Sequence, residues 1–272
     1  YNYYIIYLII FKELLLMSEI VDTSNTEFNE FMHMPIVALR GLTVFPGMNL
    51  HFDVGRKKSI AALKNAMNND QRIFLVAQKD AGVNEPELDD LYEVGVVCEI
   101  KQMIKIPNSP NLRVAVEGLC RGDLITIIQP KPFLVGVINE IDEKIAPQTP
   151  ENNAYARLLK DEFENYALKI AKVSNEVISK IISINEIGEL ADFICANTFF
   201  DYPDKQKILN EFDPQKRAEM LFALLKNENL TLNIEAEIQE KVNKEVDKNQ
   251  REYYLREEMK VIADQLGDGE NP

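Results

Sequence analysis

The ten residues KIAPQTPENN, Lys144 to Asn153, separate two kinds of apolar periodicity. On their N-terminal side apolar residues come in short β-rich runs, and on their C-terminal side they recur at three and four residues. Pro147 and Pro150 interrupt both kinds of regular structure, so the segment reads as a linker between two subdomains. Upstream, Met34 to about Glu143 reads as a compact β domain, with runs at Pro35 to Leu39, Asn49 to Val54, Arg72 to Ala77, Glu93 to Ile106, Asn111 to Val116, Leu119 to Ile128 and Phe133 to Ile141. Phe45-Pro46-Gly47, Pro107-Asn108-Ser109-Pro110 and Pro130-Lys131-Pro132 supply the turns. One helix interrupts the strands, where Ile60, Leu63 and Met67 repeat at helical spacing and Asn68-Asn69 stops them.

Downstream no strand is expected. Tyr155, Leu158, Leu159, Phe163 and Tyr166 form one apolar face, and Ile187, Leu190, Ala191, Ile194 and Cys195 form another, as in a helical bundle over residues 154 to 227. Pro203 and Pro214 sit where the first turn of a new helix tolerates proline, and Ala218, Leu221, Phe222 and Leu225 follow at helical spacing. From about Leu230 to Leu266 the chain has neither Pro nor Gly. The ladder Ile234, Ile238, Val242, Val246, then Leu255, Met259, Ile262 and Leu266, predicts one long helix over 228 to 266, roughly 55 Å in length. Acid-first pairs support it: Glu237 with Lys241, Glu240 with Lys244, Asp247 with Arg251 and Glu252 with Arg256. A small bundle cannot cover such a helix, so its far half is expected to project, dock on a second chain or run onward. Residues 267 to 272, with Gly267, Gly269 and Pro272, break it. The expected class is α+β: a mixed β pseudobarrel with one helix, then an all-α bundle ending in the long helix.

The 46% hydrophobic content can fill a core, and the net charge of −14 argues against nucleic acid, whose binding needs clustered cations that release counterions. Arg56, Lys57 and Lys58 form a local basic exception, read as a solvated helix start or a contact for an acidic partner. Cys98, Cys120 and Cys195 are odd in number and widely spaced, which excludes a disulfide framework and CxxC zinc spacing and fits a reducing cytoplasm. With only His33 and His51, no metal site is expected. Residues 1 to 16 are apolar, but Lys12 and Glu13 break the run short of a membrane span, and no secretory cleavage pattern follows. They are expected to be non-native upstream read-through, since Lys12-Glu13 can be encoded by a ribosome-binding sequence just before Met17. Residues 17 to 33 then form a polar leader.

No chemistry is apparent. There is no Gly-Lys pair for a phosphate loop and no GxSxG elbow, and Ser179-Lys180 lies inside an amphipathic helix. The cysteines look like core residues, and Asp89-Asp90 like surface. Catalytic, cofactor-binding and metal-binding residues are therefore expected to be absent.

Six ordered motifs remain to be explained: PIVALRGLTVFPGM from Pro35, FDVGRKKSI from Phe52, RIFLVAQKD from Arg72, NEPELDDLYEVG from Asn84, RVAVEGLCRG from Arg113 and LADFICAN from Leu190. The most specific stretch is KNQREYYLREEMKVIADQLGD, Lys248 to Asp268. Together these resemble the N-terminal region of bacterial Lon proteases over about Met34 to Asp268. Lys57, where the family often has an acid, and Asp264-Gln265 depart from the pattern. The resemblance implies a substrate-recognition domain of a homohexameric ATP-dependent serine protease, cut off before an AAA+ ATPase using ATP and Mg2+ and before a Ser-Lys protease domain. Its implied partners are unfolded or damaged proteins and other subunits. The alternatives are a stand-alone binding or chaperone module and, more distantly, a small-molecule hydrolase. An unfolded client is recognised through exposed apolar groups, so Tyr253, Tyr254, Leu255 and Met259 are the candidate contacts, against the reading that they pack on the bundle or a neighbouring subunit. Arg56 and Lys57, with the Gly41 to Gly47 turn, are the weaker candidates on the β domain.

Overall fold

A computed structural model describes residues 31 to 143, 145 to 170 and 173 to 266, with the side chain of the last left aside. The expectations for residues 1 to 16, for most of the leader and for 267 to 272 lie outside the described residues. Six strands come first: β1 (Met32–Leu39), β2 (Asn49–Val54), β3 (Arg72–Ala77), β4 (Val94–Lys105), β5 (Leu112–Gln129) and β6 (Val135–Glu140). Helix α1 (Lys57–Asn68) joins β2 to β3. Its crossover leaves β1 and β3 as a parallel pair in an otherwise antiparallel sheet. The order is β2-β5-β4-β3-β1-β6, and β6 also pairs with β5, which closes the sheet into a barrel.

Two expected runs, Asn111 to Val116 and Leu119 to Ile128, are one strand. The apolar runs break at Glu117-Gly118 in the sequence, but β5 passes through with register shifts against β4. The glycine is needed because a Cβ there would collide with the Phe45 carbonyl. Phe45 opens a turn in which the Met48 N–H reaches the Phe45 carbonyl at 3.2 Å, with Pro46 at its second position and Gly47 at φ +69°. That is a type II turn, which calls for these two residues in this order.

β1 and β3 are buried on both faces, so their sequences are nearly continuous apolar runs. Val37 and Leu39 join a large core with Leu63 of α1, while Ile36 and Ala38 face a smaller one with Phe74, Leu124 and Ile138.

Then come α2 (Pro150–Lys169), which starts inside the expected linker because Pro150 opens a first turn rather than breaking one, α3 (Asn175–Ser183), α4 (Ile187–Ala196), α5 (Tyr202–Leu209) and α6 (Pro214–Leu266). The Thr149 hydroxyl caps α2 by accepting from the Asn152 N–H at 3.1 Å, with Pro150 in the first turn. The long helix does not begin near Leu230 as expected. It runs unbroken from Pro214, because nothing between Arg217 and Leu230 can stop a helix. Its first third is bundle wall, with Ala218, Leu221 and Leu225 fully buried against α2 and α4.

The large core is continuous from barrel to bundle, running from Val96 and Val116 through Leu190 and Ile194 to Leu221. An ionic junction accompanies it. Arg121 of β5 and Arg217 of α6 have side chains 0% and 1% exposed. The Arg121 guanidinium donates two hydrogen bonds to the Asp192 carboxylate of α4, each 2.7 Å, a third to the Leu209 carbonyl at 2.8 Å and another to Glu143. Arg217 donates to the second Glu143 oxygen at 2.7 Å and to the Glu211 carbonyl at 3.0 Å. Burial alone would push the Arg121 guanidinium down, and the two carboxylates more than offset it, holding it above its ordinary range. Helix α5 adds neutral bonds, with Gln206 Nε2 donating to the Val94 carbonyl at 2.8 Å and the Tyr202 hydroxyl to the Lys79 carbonyl at 3.0 Å.

Removing one member of such a set strands the others in a low-dielectric site. Asp192→Ala is therefore expected to lower unfolding free energy by about 3 to 5 kcal/mol in a denaturant titration. A loss below about 1 kcal/mol, the value of an exposed pair, would contradict the burial described here.

Candidate functional site

Two places carry the residues singled out from the sequence. The first is the entry to α1. Arg56 is the N-cap residue, in extended conformation, and its side chain turns back instead of entering solvent. The guanidinium is half-buried and donates to Gln78 Oε1, to the Val83 carbonyl at 3.3 Å and, at 3.5 Å, to the Ala38 carbonyl. Arg40 donates to the same Val83 carbonyl at 3.3 Å and to Asn84 Oδ1 at 2.8 Å. Among the described residues neither arginine has a carboxylate partner; burial first, and Arg40 second, draw the Arg56 pKa below its ordinary value. Arg56 is thus a clamp on the 80 to 85 loop rather than part of a solvated start. Lys57 beside it is exposed, and Lys58 pairs with Glu85 at 2.8 Å. A cleft of about 420 Å³ opens here between Val37 to Arg40 and Phe52 to Arg56.

The second place is the far part of α6. After Leu232 the residues from 233 to 265 are all exposed, a projecting arm about 50 Å long. Tyr253, Tyr254, Leu255 and Met259 are 63%, 70%, 52% and 70% exposed, so packing against the bundle is not what holds them. The two tyrosine rings meet edge-on with centroids 6.2 Å apart. Leu230, Ile234, Ile238, Val242 and Val246 are also open. Their strict spacing of four exceeds the 3.6-residue turn, so this stripe advances about 40° around the helix at each step. Of the acid-first pairs, Glu240 with Lys244 closes at 2.6 Å.

The two places lie on separate elements, and no bonded or ring contact joins them among the described residues. The structure also shows what the sequence reading missed. Arg121 and Asp192 each sit among mainly apolar neighbours, in GLCRG and LADFI, and that was the available signal for the junction. None of the thiols is set up to react: burial pushes Cys98 and Cys195 far up, and Cys120 up to about 11. No helix among the described residues is long and apolar enough to cross a membrane, and no group of acidic, His and Cys side chains there could hold a metal ion.

Residues 33–227 match the family model of the ATP-dependent protease La (LON) substrate-binding domain. This chain belongs to the Lon substrate-binding-domain family. A Lon protease from Clostridium acetobutylicum is 41% identical over 235 residues, covering 86% of this chain but 30% of that protein. Lon protease 1 of Bacillus subtilis is 39% identical over 237 residues, again covering 30% of its length. The chain therefore spans about 30% of the Lon proteases it matches. Among solved structures, the N-terminal domain of a Mycobacterium avium complex Lon protease superposes with a TM-score of 0.60 at 18% identity, covering 72% of this chain and 98% of that one. The Lon N-terminal domain protein from Xanthomonas campestris gives 0.52 at 14% identity, covering 71% of this chain and 98% of that one. At these identities the two structures bear on the fold, a six-stranded mixed sheet and helix followed by helices.

Two outcomes follow from this Lon-family geometry. Because the arm's apolar residues are already exposed, replacing Tyr253, Tyr254 and Met259 together by Ala is expected to shift unfolding free energy by no more than about 0.5 kcal/mol per site. A large loss in a melting experiment would mean that these side chains are buried. In thiol labelling at pH 8, Cys120 has on the order of one thiolate in a thousand. It should react slowly but first, its rate rising tenfold per pH unit, with Cys98 and Cys195 reacting only on unfolding; early labelling of Cys98 would contradict this order.

Proposed function

We propose that this chain binds protein clients for a Lon protease, presenting unfolded or damaged chains and selected regulatory proteins to an ATPase and protease machinery that is not among its own motifs. The observation that carries the reading is the arm: aromatic, aliphatic and thioether side chains held in solvent on a helix rooted in a rigid head. Unfolded proteins differ from folded ones chiefly in exposed apolar groups, and a row of adaptable apolar side chains can meet many sequences. The family's substrate-binding description agrees with it. On this reading the chain binds without cleaving. ATP and Mg2+ serve the full-length parent, whose homohexamer is completed elsewhere, and the free cysteines suit the cytoplasm. Exposed Lys57 is a secondary contact on the head, with Arg56 behind it holding the 80 to 85 loop in place.

Equilibrium binding of the whole chain to a folded protein, and to the same protein held unfolded by reduction and alkylation, tests this directly. Selective binding of the unfolded form is expected, weakened at least fivefold by Tyr253→Ala, Tyr254→Ala and Met259→Ala combined. Equal or absent binding of the two forms would overturn it in favour of a role in positioning subunits.

A further inference from the structure

The barrel is closed at one end and split at the other. β6 bridges the first half of β1, through Met32 to Pro35, to the second half of β5, from Gly122 to Gln129. At the opposite end β5 passes to β2 instead, through Leu112 to Glu117, and β2 pairs with no further strand among the described residues. The second half of β1 has likewise lost β6, whose reach ends with the Ile36 N–H donating to the Leu134 carbonyl at 2.9 Å. The β2 edge is therefore open, whereas on β1 residues 36 to 39 are buried and the Ile36 N–H and Ala38 carbonyl are already bonded. The 420 Å³ cleft runs between the two, with Val37 to Arg40 on one side and Phe52 to Arg56 on the other.

The direction of the backbone groups follows from printed bonds at the strand ends. The Gly118 N–H donates to the Met48 carbonyl at 2.9 Å. Alternation from that bond turns the main chain of Leu50, Phe52 and Val54 toward β5 and that of Asn49, His51 and Asp53 toward the open edge. On β1 the Gln78 N–H donates to the Leu39 carbonyl at 2.9 Å, so Val37 and Leu39 face β3 while Ile36 and Ala38 face outward. The outward Ala38 carbonyl meets the Arg56 guanidinium, whose position at the rim now has a reason: it occupies an edge acceptor where a neighbouring strand would.

We propose that the open edge of β2 beside this seam is a strand-acceptor site, along which an extended segment of an unfolded client adds by main-chain hydrogen bonding. The proposal rests on the client-binding reading and gives it a second, sequence-tolerant mode. A folded protein has its backbone groups already paired, whereas an unfolded chain carries unpaired N–H and C=O groups that match the β2 edge whatever its side chains. The cleft walls supply apolar contact through Val37, Leu42 and Phe52, and Arg40 at its rim suits a segment with an acidic flank.

Residue-resolved amide exchange on the whole chain tests it, using as probes a reduced, alkylated unfolded protein and a six-residue extended peptide, the latter with and without N-methylation of alternate amides. The Asn49, His51 and Asp53 amides should exchange freely in the chain alone and slow at least tenfold with either unmodified probe. The methylated peptide should bind at least tenfold more weakly, as should the unmodified peptide to His51→Pro, which loses an outward N–H while keeping its β5 pairing; an unchanged melting temperature certifies that variant's fold. Three results would overturn the proposal: protection of those amides before any probe is added, a mass measurement showing a second copy paired along β2, or tight binding of the unfolded protein with the three amides unaffected. The last leaves client binding by the arm standing, whereas no binding of any unfolded probe would bring down both.

Discussion

Four side chains hold this molecule in one orientation. Arg121 comes from the barrel, Glu143 from the end of its last connection, Asp192 from the bundle and Arg217 from the root of the long helix, and they meet where almost no solvent reaches. Burying two guanidiniums is costly, and their carboxylates roughly offset that cost rather than adding large net stability. What the arrangement supplies is geometry. A bidentate Arg–carboxylate pair tolerates little rotation, and this one is tied at four points of the chain. The arm extends about 50 Å past its root, so a tilt of about 10° there would carry its tip about 9 Å. An apolar core alone could be repacked at several angles; the ionic set excludes most of them.

Head and arm consequently differ in what specifies them. The head is a continuous core with hydrogen-bonded crossings between strands and helices, of which the Gln206 bond to Val94 is an example. Among the described residues the arm has no tertiary partner, and it depends on helix propensity, its Glu240–Lys244 pair and continuity with the buried first turns of α6. Such a helix can remain formed while offering its apolar side chains, which an ordinary surface would not expose in a row. The seam in the barrel is the head's counterpart, exposed backbone in place of exposed side chain.

Much of this was legible beforehand. β2 and β3 fall where β-branched and aromatic content put them, and the Pro203 and Pro214 helix starts where first-turn proline chemistry does, whereas Pro150, read as part of the linker, opens a helix in the same way. The family was carried by ordered motifs, above all around Tyr253 and Met259. Where reading failed, one residue type had two uses. Gly118 permits close approach of another backbone rather than a turn, and that demand comes from Phe45, far away in sequence. The start of the long helix was misplaced because the apolar pattern changes near Leu230, although the backbone has no reason to stop there. Arg121 and Asp192 passed unremarked in the sequence, and their pairing is a tertiary fact. The open edge of β2 depends on which strand ends where, and no local pattern encodes that.

The central claim is that barrel, bundle and helix root form a single cooperative unit from which the arm projects. Native-state hydrogen exchange across a denaturant series measures this residue by residue. Amides at Val97 and Ile100 in the barrel and at Leu190 and Leu221 in the bundle are predicted to open with one common free energy, while those of residues 240 to 262 exchange through local fraying at far lower cost. Separate opening energies for barrel and bundle would show two independent bodies, and the fixed orientation of the arm would then be wrong.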